Sequence, residues 1–261
     1  MPEGDIVLRV ARRMNAALAG QRLVRGELRW GDLGGTDLAG TVVLENVSVG
    51  KHLLTRLDDG RTLRTHLRMD GSWWIARAGD ERGADRSHRV RAVLGTERWT
   101  CIGRSLGMLD LVRTRDEHRI IGHLGPDLLA DGVDLAACGR RVREQGDRPV
   151  GAVLLDQTVV AGIGTLYLAE SLWAHRVHPL RPAREVTQAE AVCTTARELM
   201  LRSADAPLPT ATGETAPGRT SHVHGRRGRP CRRCGTPIVE LQVGTPGQLR
   251  PAFFCPRCQP D

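Results

Sequence analysis

Lysine is almost missing from this chain. Of its 38 basic residues only Lys51 is not arginine. Arginine is effectively always protonated, whereas lysine can give up a proton or act as a compact cation, so one retained ammonium is a candidate functional group. A chance survivor on a strand edge is the alternative. Long apolar runs are missing too. No run of about eighteen apolar residues occurs, so no membrane-spanning helix and no membrane partner are expected. The first residues lack a basic stretch followed by an apolar run and a small-residue cleavage site, so no secretory signal is expected and a cytoplasmic protein is. Seven cysteines in that setting do not argue for a disulfide framework. Internal repeats are absent. Acidic residues are scarce at one end: residues 215–261 hold eight arginines (219, 226, 227, 229, 232, 233, 250 and 257) against Glu240 and Asp261.

That imbalance puts +6 of the net +8 into the last 47 residues. Such concentration is a footprint of phosphate-backbone binding, a solvated basic tail being the alternative. The same region carries Cys231-x2-Cys234 and, twenty residues later, Cys255-x2-Cys258. Two such knuckles can present four thiolates tetrahedrally to one structural zinc ion. IVELQV and LRPAFF between them read as two strands around the turn TPGQ, a hairpin too small to fold on apolar burial alone and stapled by the metal. Cys101, Cys138 and Cys193 lie in apolar surroundings and are expected in the core.

At 261 residues with 40% hydrophobic content, the chain can hold one large domain or two small ones. DIVLRVARRMNAALAG places Val7, Ala11, Met14 and Leu18 on one helical face, with Gly20 as a stop. From about Arg22 to Val112 the period changes. ELRW, TVVLENVSV, HLLTRL, RTLRTHL, SWWIAR, HRVRAVL, RWTCI and MLDLV read as short strands separated by turns such as DDG and MDG, the spacing of a sandwich or barrel. VDLAACGRRVRE, PVGAVLLDQTVV, GTLYLAESLWAH and TQAEAVCTTARELMLR then read as helices, the last opened by a capping box of Thr187 and Glu190. Residues 204–220, rich in Pro, Gly and Thr, read as a mobile loop. The expected architecture is an α+β multidomain chain. It comprises an N-terminal β-sandwich with a leading helix (1–115), a helical domain (130–222) and a C-terminal zinc-finger hairpin (223–261).

MPEG at the start, GKHLL at 50–54, HLRMDGSW at 66–73, HLGPDLL at 123–129, GRRGRPCRRCGTPI at 225–238 and FFCPRCQ at 253–259 fall in one order along the chain. Together with LLDQTVVAGIGTLYLAESLWAHRVHP, which resembles a helix-two-turn-helix element, they resemble the formamidopyrimidine-DNA glycosylase/endonuclease VIII family over nearly the whole length. PEGD in place of PEGPE is most similar to the actinobacterial endonuclease VIII branch.

The resemblance implies a monomeric base-excision repair enzyme acting on damaged or abasic-site DNA, associated with the nucleoid through that DNA. It is a bifunctional glycosylase and abasic-site lyase working by β,δ-elimination. Pro2, once Met1 is removed, becomes a free secondary amine and attacks C1′ of the damaged nucleotide; Glu3 is the general acid/base. Lys51 contacts phosphate and assists elimination. Arg250, five residues before Cys255, grips the phosphates flanking the lesion and takes part in the second elimination. Gly162 and Gly164 permit close backbone approach to DNA, and Met69 fills the gap left by the everted nucleotide, a turn-flanking core methionine being the competing reading. The chain departs from the family pattern at Thr165, where asparagine is usual and contacts the DNA backbone. It departs also at His224, where tyrosine is common, and at Ser105 and Leu106, which align with an intercalating arginine and phenylalanine. The alternative to an active enzyme is a non-catalytic or altered-specificity damaged-DNA-binding paralogue.

Overall fold

The computed structural model describes residues 2–245 and 247–261. Two compact units result: Ile6–His123 together with Pro2, and Leu124–Asp261 together with Glu3–Asp5.

Helix α1 (Gly4–Leu18) opens the chain. Its expected apolar face is the buried one, with Val7, Ala11, Met14 and Leu18 at most 2% exposed. Eight strands follow: β1 (Arg25–Leu28), β2 (Val43–Val49), β3 (His52–Leu57), β4 (Arg61–His66), β5 (Ser72–Arg77), β6 (Val90–Gly95), β7 (Trp99–Arg104) and β8 (Met108–Arg113). They form two four-stranded antiparallel sheets, ordered β2-β3-β4-β8 and β1-β6-β7-β5. One core, including Leu53, Leu57, Leu63, Leu94, Cys101 and Leu109, fills the space with the α1 face. Strand period two sends alternate residues inward, and the Trp73 indole Nε1 satisfies itself by donating to Thr65 Oγ1 at 3.2 Å. The outer face of the first sheet carries ion pairs. There Arg56 makes a two-pronged pair with Glu117 at 2.8 Å on each side, and Arg64 pairs with Asp110.

The second unit is helical, with a terminal hairpin. After the single turn α2 (His118–Ile121), which still belongs to the first unit, come α3 (Leu135–Arg143), α4 (Val150–Leu155), α5 (Thr165–Ala174) and α6 (Ala189–Asp205). Asp134 caps α3 by accepting from Ala137 N at 2.8 Å. The helix expected over 149–160 stops at Leu155 because the Asp156 carboxylate folds onto Thr158, accepting from its N–H at 3.1 Å and its hydroxyl at 2.7 Å. The expected Thr187–Glu190 capping box is not formed. Thr187 Oγ1 instead donates to the neighbouring Gln188 Oε1 at 3.0 Å, and α6 starts at Ala189 with no side-chain cap. β9 (Val239–Val243) and β10 (Arg250–Phe254) pair from Arg250↔Val243 to Phe254↔Val239. In the turn between them Pro246 lies outside the described residues. Residues 206–220 form no helix or strand. Ala211 N donates to Thr220 O at 2.8 Å and Thr210 Oγ1 to Glu214 O at 2.7 Å, pinning the base of the loop.

Candidate functional site

Glu3 is 4% exposed and seated on the N-terminus of α5. Gly164 N donates to Oε2 at 2.9 Å and Leu166 N to Oε1 at 2.8 Å. The first N–H groups of a helix have no intrahelical partner and point at anions, so the carboxylate completes the helix and is held by both oxygens. Gly164 is indispensable to this seat, since a Cβ there would lie 2.2 Å from Glu3 Cδ. Gly162 takes φ +105°, a conformation glycine adopts without strain, and its carbonyl accepts from Gly4 N at 3.1 Å. The close approach these glycines allow is thus, in the first place, to the chain's own N-terminal segment.

Two further buried acids organise the same unit. Asp5, 1% exposed, accepts from the Tyr167 hydroxyl at 2.6 Å and the Ser203 hydroxyl at 2.7 Å. Ser203 Oγ in turn accepts from Thr210 N at 3.2 Å, which connects the N-terminal segment to α6 and to the base of the loop. Burial and the adjacent Asp5 charge push the Tyr167 phenol well above its ordinary range, keeping it a neutral donor. Glu170, also 1% exposed, accepts three backbone N–H groups, from His222 at 2.8 Å, Val223 at 2.8 Å and His224 at 2.9 Å. Burial raises its pKa, while the three donors pull the other way. Thr165 Oγ1 lies 3.3 Å from His224 Nε2, and burial lowers His224 to about 4, so the imidazole is neutral at neutral pH.

In the other unit Pro2 is half-buried, and Lys51 lies half-buried in the turn between β2 and β3. Met1 lies outside the described residues. Beside Lys51, His52 and His66 face each other across β3 and β4 with ring centroids 4.9 Å apart, and His123 stands 6.5 Å from His52. Burial first, and neighbouring cations next, push His52 down to about 3 and His66 to about 4. Met69 projects from the β4–β5 turn, 62% exposed, which excludes the core reading. Leu106 is the opposite case. At 2% exposure it packs with Trp73 in the sandwich core and is not an exposed wedge. Ser105 before it takes φ +47°.

The Sγ atoms of Cys231, Cys234, Cys255 and Cys258 all lie within 4.8 Å of one another, with Cys234 and Cys255 at 3.4 Å. Zinc–thiolate bonds of about 2.3 Å would place the sulfurs of a tetrahedral site about 3.8 Å apart, so the donor set and its spacing suit one ion. Cys231 N donates to Thr236 O at 2.8 Å, closing the first knuckle. In the second, Gln259 Oε1 accepts from Cys255 N at 3.0 Å and its amide donates to Val177 O at 2.7 Å, tying the knuckle to the chain after α5. The Arg233 guanidinium lies 4.0 Å from the Trp173 ring centroid, and His222 stacks on the same indole at 4.4 Å. Arg250 opens β10 with its side chain exposed. The other three cysteines are buried, and burial pushes Cys101 and Cys193 up to about 12.

Residues 1–109 match the family model described as the formamidopyrimidine-DNA glycosylase N-terminal domain, and residues 124–207 match the formamidopyrimidine-DNA glycosylase H2TH domain. The Streptomyces coelicolor protein named probable endonuclease 8 2 is 40% identical over 261 residues, covering 99% of this chain and 94% of its own. This chain belongs to the formamidopyrimidine-DNA glycosylase/endonuclease VIII family. A Mycolicibacterium smegmatis DNA-(apurinic or apyrimidinic site) lyase is 36% identical, covering 99% of both chains. These actinobacterial relatives agree with the branch read from PEGD. A crystal structure of Lactococcus lactis formamidopyrimidine-DNA glycosylase with abasic-site DNA shares the fold at a TM-score of 0.81. It is 22% identical, with all of both chains covered.

Against the pattern of the endonuclease VIII family, the two departures at Thr165 and His224 prove to be neighbours, since the structure pairs their side chains. Asp5 and Glu170 went unread as site residues. Each left a local signal: the acid in PEGD before an apolar helix, and the lone acid inside LYLAESLWA, a run otherwise buried along nearly its whole length. A carboxylate in such a run must find donors.

Proposed function

We propose that this chain excises damaged bases from DNA and then cleaves the abasic site, with the Pro2 nitrogen as nucleophile. The carrying observation is the Glu3 carboxylate, adjacent in sequence to Pro2 and fixed through both oxygens to backbone N–H groups of the α5 start. Once Met1 is removed, Pro2 presents a terminal amine. Such amines titrate at about 7.7–8.0, against about 10.4 for a lysine side chain, and so supply far more neutral nucleophile at neutral pH. The nitrogen forms a bond to C1′ as the glycosidic bond breaks and the base departs with its electron pair. Glu3 takes up the proton that the nitrogen sheds on bonding and passes it to the ring oxygen as the C1′–O bond breaks and the sugar opens, leaving an iminium. The iminium acidifies C2′; loss of that proton expels the 3′ phosphate, and a second elimination expels the 5′ phosphate. A carboxylate already held in place needs no reorganisation during these steps.

Lys51 contacts a DNA phosphate and assists elimination, and Arg250 grips the phosphates flanking the lesion and takes part in the second elimination. Gly162, Gly164 and Thr165 bring the α5 start to the DNA backbone, and Met69 enters the stack as the nucleotide is everted. Cys231, Cys234, Cys255 and Cys258 hold one structural zinc ion, which shapes the hairpin that carries Arg250. The protein acts as a monomer in the cytoplasm, and no helix among the described residues is long and apolar enough to cross a membrane.

Borohydride reduction in the presence of an abasic-site oligonucleotide tests this. The expected product is a covalent protein–DNA species whose peptide map places the link at Pro2. DNA binding without any cross-link, from protein whose mass shows Pro2 as the first residue, would overturn the enzymatic reading in favour of a non-catalytic paralogue.

A further inference from the structure

The sheet β1-β6-β7-β5 has a second face, turned away from the sandwich core. Register puts Trp74 beside Ile102 and Ile102 beside Val93 on that face, while Ser72 lies beside Arg104. Val90, Val93 and Ile102 form a small apolar cluster of their own there, partly covered by Ala84 from the β5–β6 connection. Between that connection and edge strand β5 opens a cavity of about 440 Å³, lined by Ser72, Trp74, Glu81, Arg82, Ala84 and Arg104 among others. Its volume is in the range of small-ligand sites.

The chemistry of the lining is specific. Trp74 is a large aromatic left 39% exposed, with its indole in the cavity lining. Neither Arg82 nor Arg104 pairs with a carboxylate among the described residues. Glu81, the acid in the lining, accepts from the Thr100 hydroxyl at 2.5 Å and Gly79 N at 3.2 Å and keeps its charge, so the lining holds two cations against one anion. An aromatic face flanked by two available guanidinium groups is what an unstacked nucleotide requires: stacking for the base, charge for the phosphate. Position argues the same way. Ser72 comes three residues after the exposed Met69, and Arg104 directly precedes Ser105. The turns that carry Met69 and Ser105 are fastened together by Gly107 N donating to His66 O at 2.9 Å.

We infer that Trp74, Arg82 and Arg104 form a nucleotide subsite, on the strand that leaves the Met69 turn, that takes one unpaired nucleotide of the DNA near the lesion. The inference rests on the DNA-repair reading above and adds to it a preference for locally unpaired DNA. It also supplies an aromatic surface that the buried Leu106 does not.

Affinity is measured for two abasic-site DNAs, one fully paired and one with a bubble around the lesion. Wild type, Trp74→Ala, Trp74→Phe and Arg82→Gln/Arg104→Gln are compared, with thermal melting as the folding control. Trp74→Ala is expected to lose about 10- to 100-fold in affinity for bubble DNA relative to duplex, the worth of one stacked base. Trp74→Phe should recover most of the loss, and the double arginine variant should reduce both the bubble preference and its salt dependence. Equal losses on both DNAs, or none on either, overturn the subsite. In the second case, binding of an acidic peptide lost in the same variants would assign the face to a protein partner. Wild type binding neither DNA would instead sink the underlying repair reading.

Discussion

In the sandwich unit the carboxylates meet arginines: Glu27 with Arg25 and Arg29 and Glu45 with Arg56 in half-exposed pairs, Glu117 with Arg56 and Asp110 with Arg64 in more buried ones. In the helical unit three acids are buried outright, and take their hydrogen bonds from backbone N–H groups and hydroxyls rather than from guanidiniums: Glu3, Asp5 and Glu170. The two arrangements do different work. The more exposed of these ion pairs contribute little to stability, and the first unit stands chiefly on apolar burial. Buried carboxylates on backbone donors fix the course of the chain, here of Glu3–Asp5 and of residues 222–224, and leaving such donors unsatisfied is costly. One unit is therefore a scaffold held by burial, the other a set of segments held by a few directional contacts and a cysteine cluster.

Stripping the zinc ion proposed for the four cysteines should separate the two units most widely. Binding energies of about 10 kcal/mol or more are typical where zinc supplies the folding of a small module. A thiol-competing chelator is expected to abolish hydrogen-exchange protection in β9 and β10 and to eliminate DNA binding, while β3, β4 and β7 stay protected. Simultaneous loss of protection in those sandwich strands would show that the contrast is not real.

A smaller effect compares single acids. Glu170→Gln turns an amide NH2 toward a backbone N–H that now has no acceptor, and should cost about 1–3 kcal/mol in urea unfolding. Glu45→Gln, in a half-exposed pair with Arg56, should cost less than about 1 kcal/mol. Equal costs would erase the distinction between the two kinds of carboxylate.

Acid should act on the sandwich through its histidines. His52 and His66 titrate near 3 and 4 in the folded chain, lowered chiefly by burial, and near 6.5 when unfolded. Between those values the unfolded chain binds more protons, so stability is fully present above about pH 6.5 and declines as pH falls toward 4. Urea midpoints measured across that window should fall, and His52→Gln should flatten the decline. An unchanged slope in that variant would assign the acid sensitivity elsewhere.

Much of this architecture is local and was legible. SWWIAR and HLLTRL coincide with β5 and β3 residue for residue, because strand period and turn residues are written in adjacent positions. The α1 face and the two cysteine knuckles were equally readable from spacing. Thr187 misled because a capping motif is only a local preference, and the packed turn at Val186–Gln188 outweighed it. Leu106 misled because alignment gives a position but not the direction of a side chain, which the core decided.

The letters alone carry the order of the elements, the two cysteine knuckles, the basic end of the chain and the proline, acid and lone lysine at positions 2, 3 and 51. Each of those follows from residue type and short-range spacing. Only the tertiary structure decided that Glu3 closes the start of a helix more than 160 residues away, that Asp5 gathers Tyr167 and Ser203, and that Thr165 answers His224. A buried carboxylate must find donors, but which donors reach it is set by long-range packing and leaves no mark in the neighbouring letters.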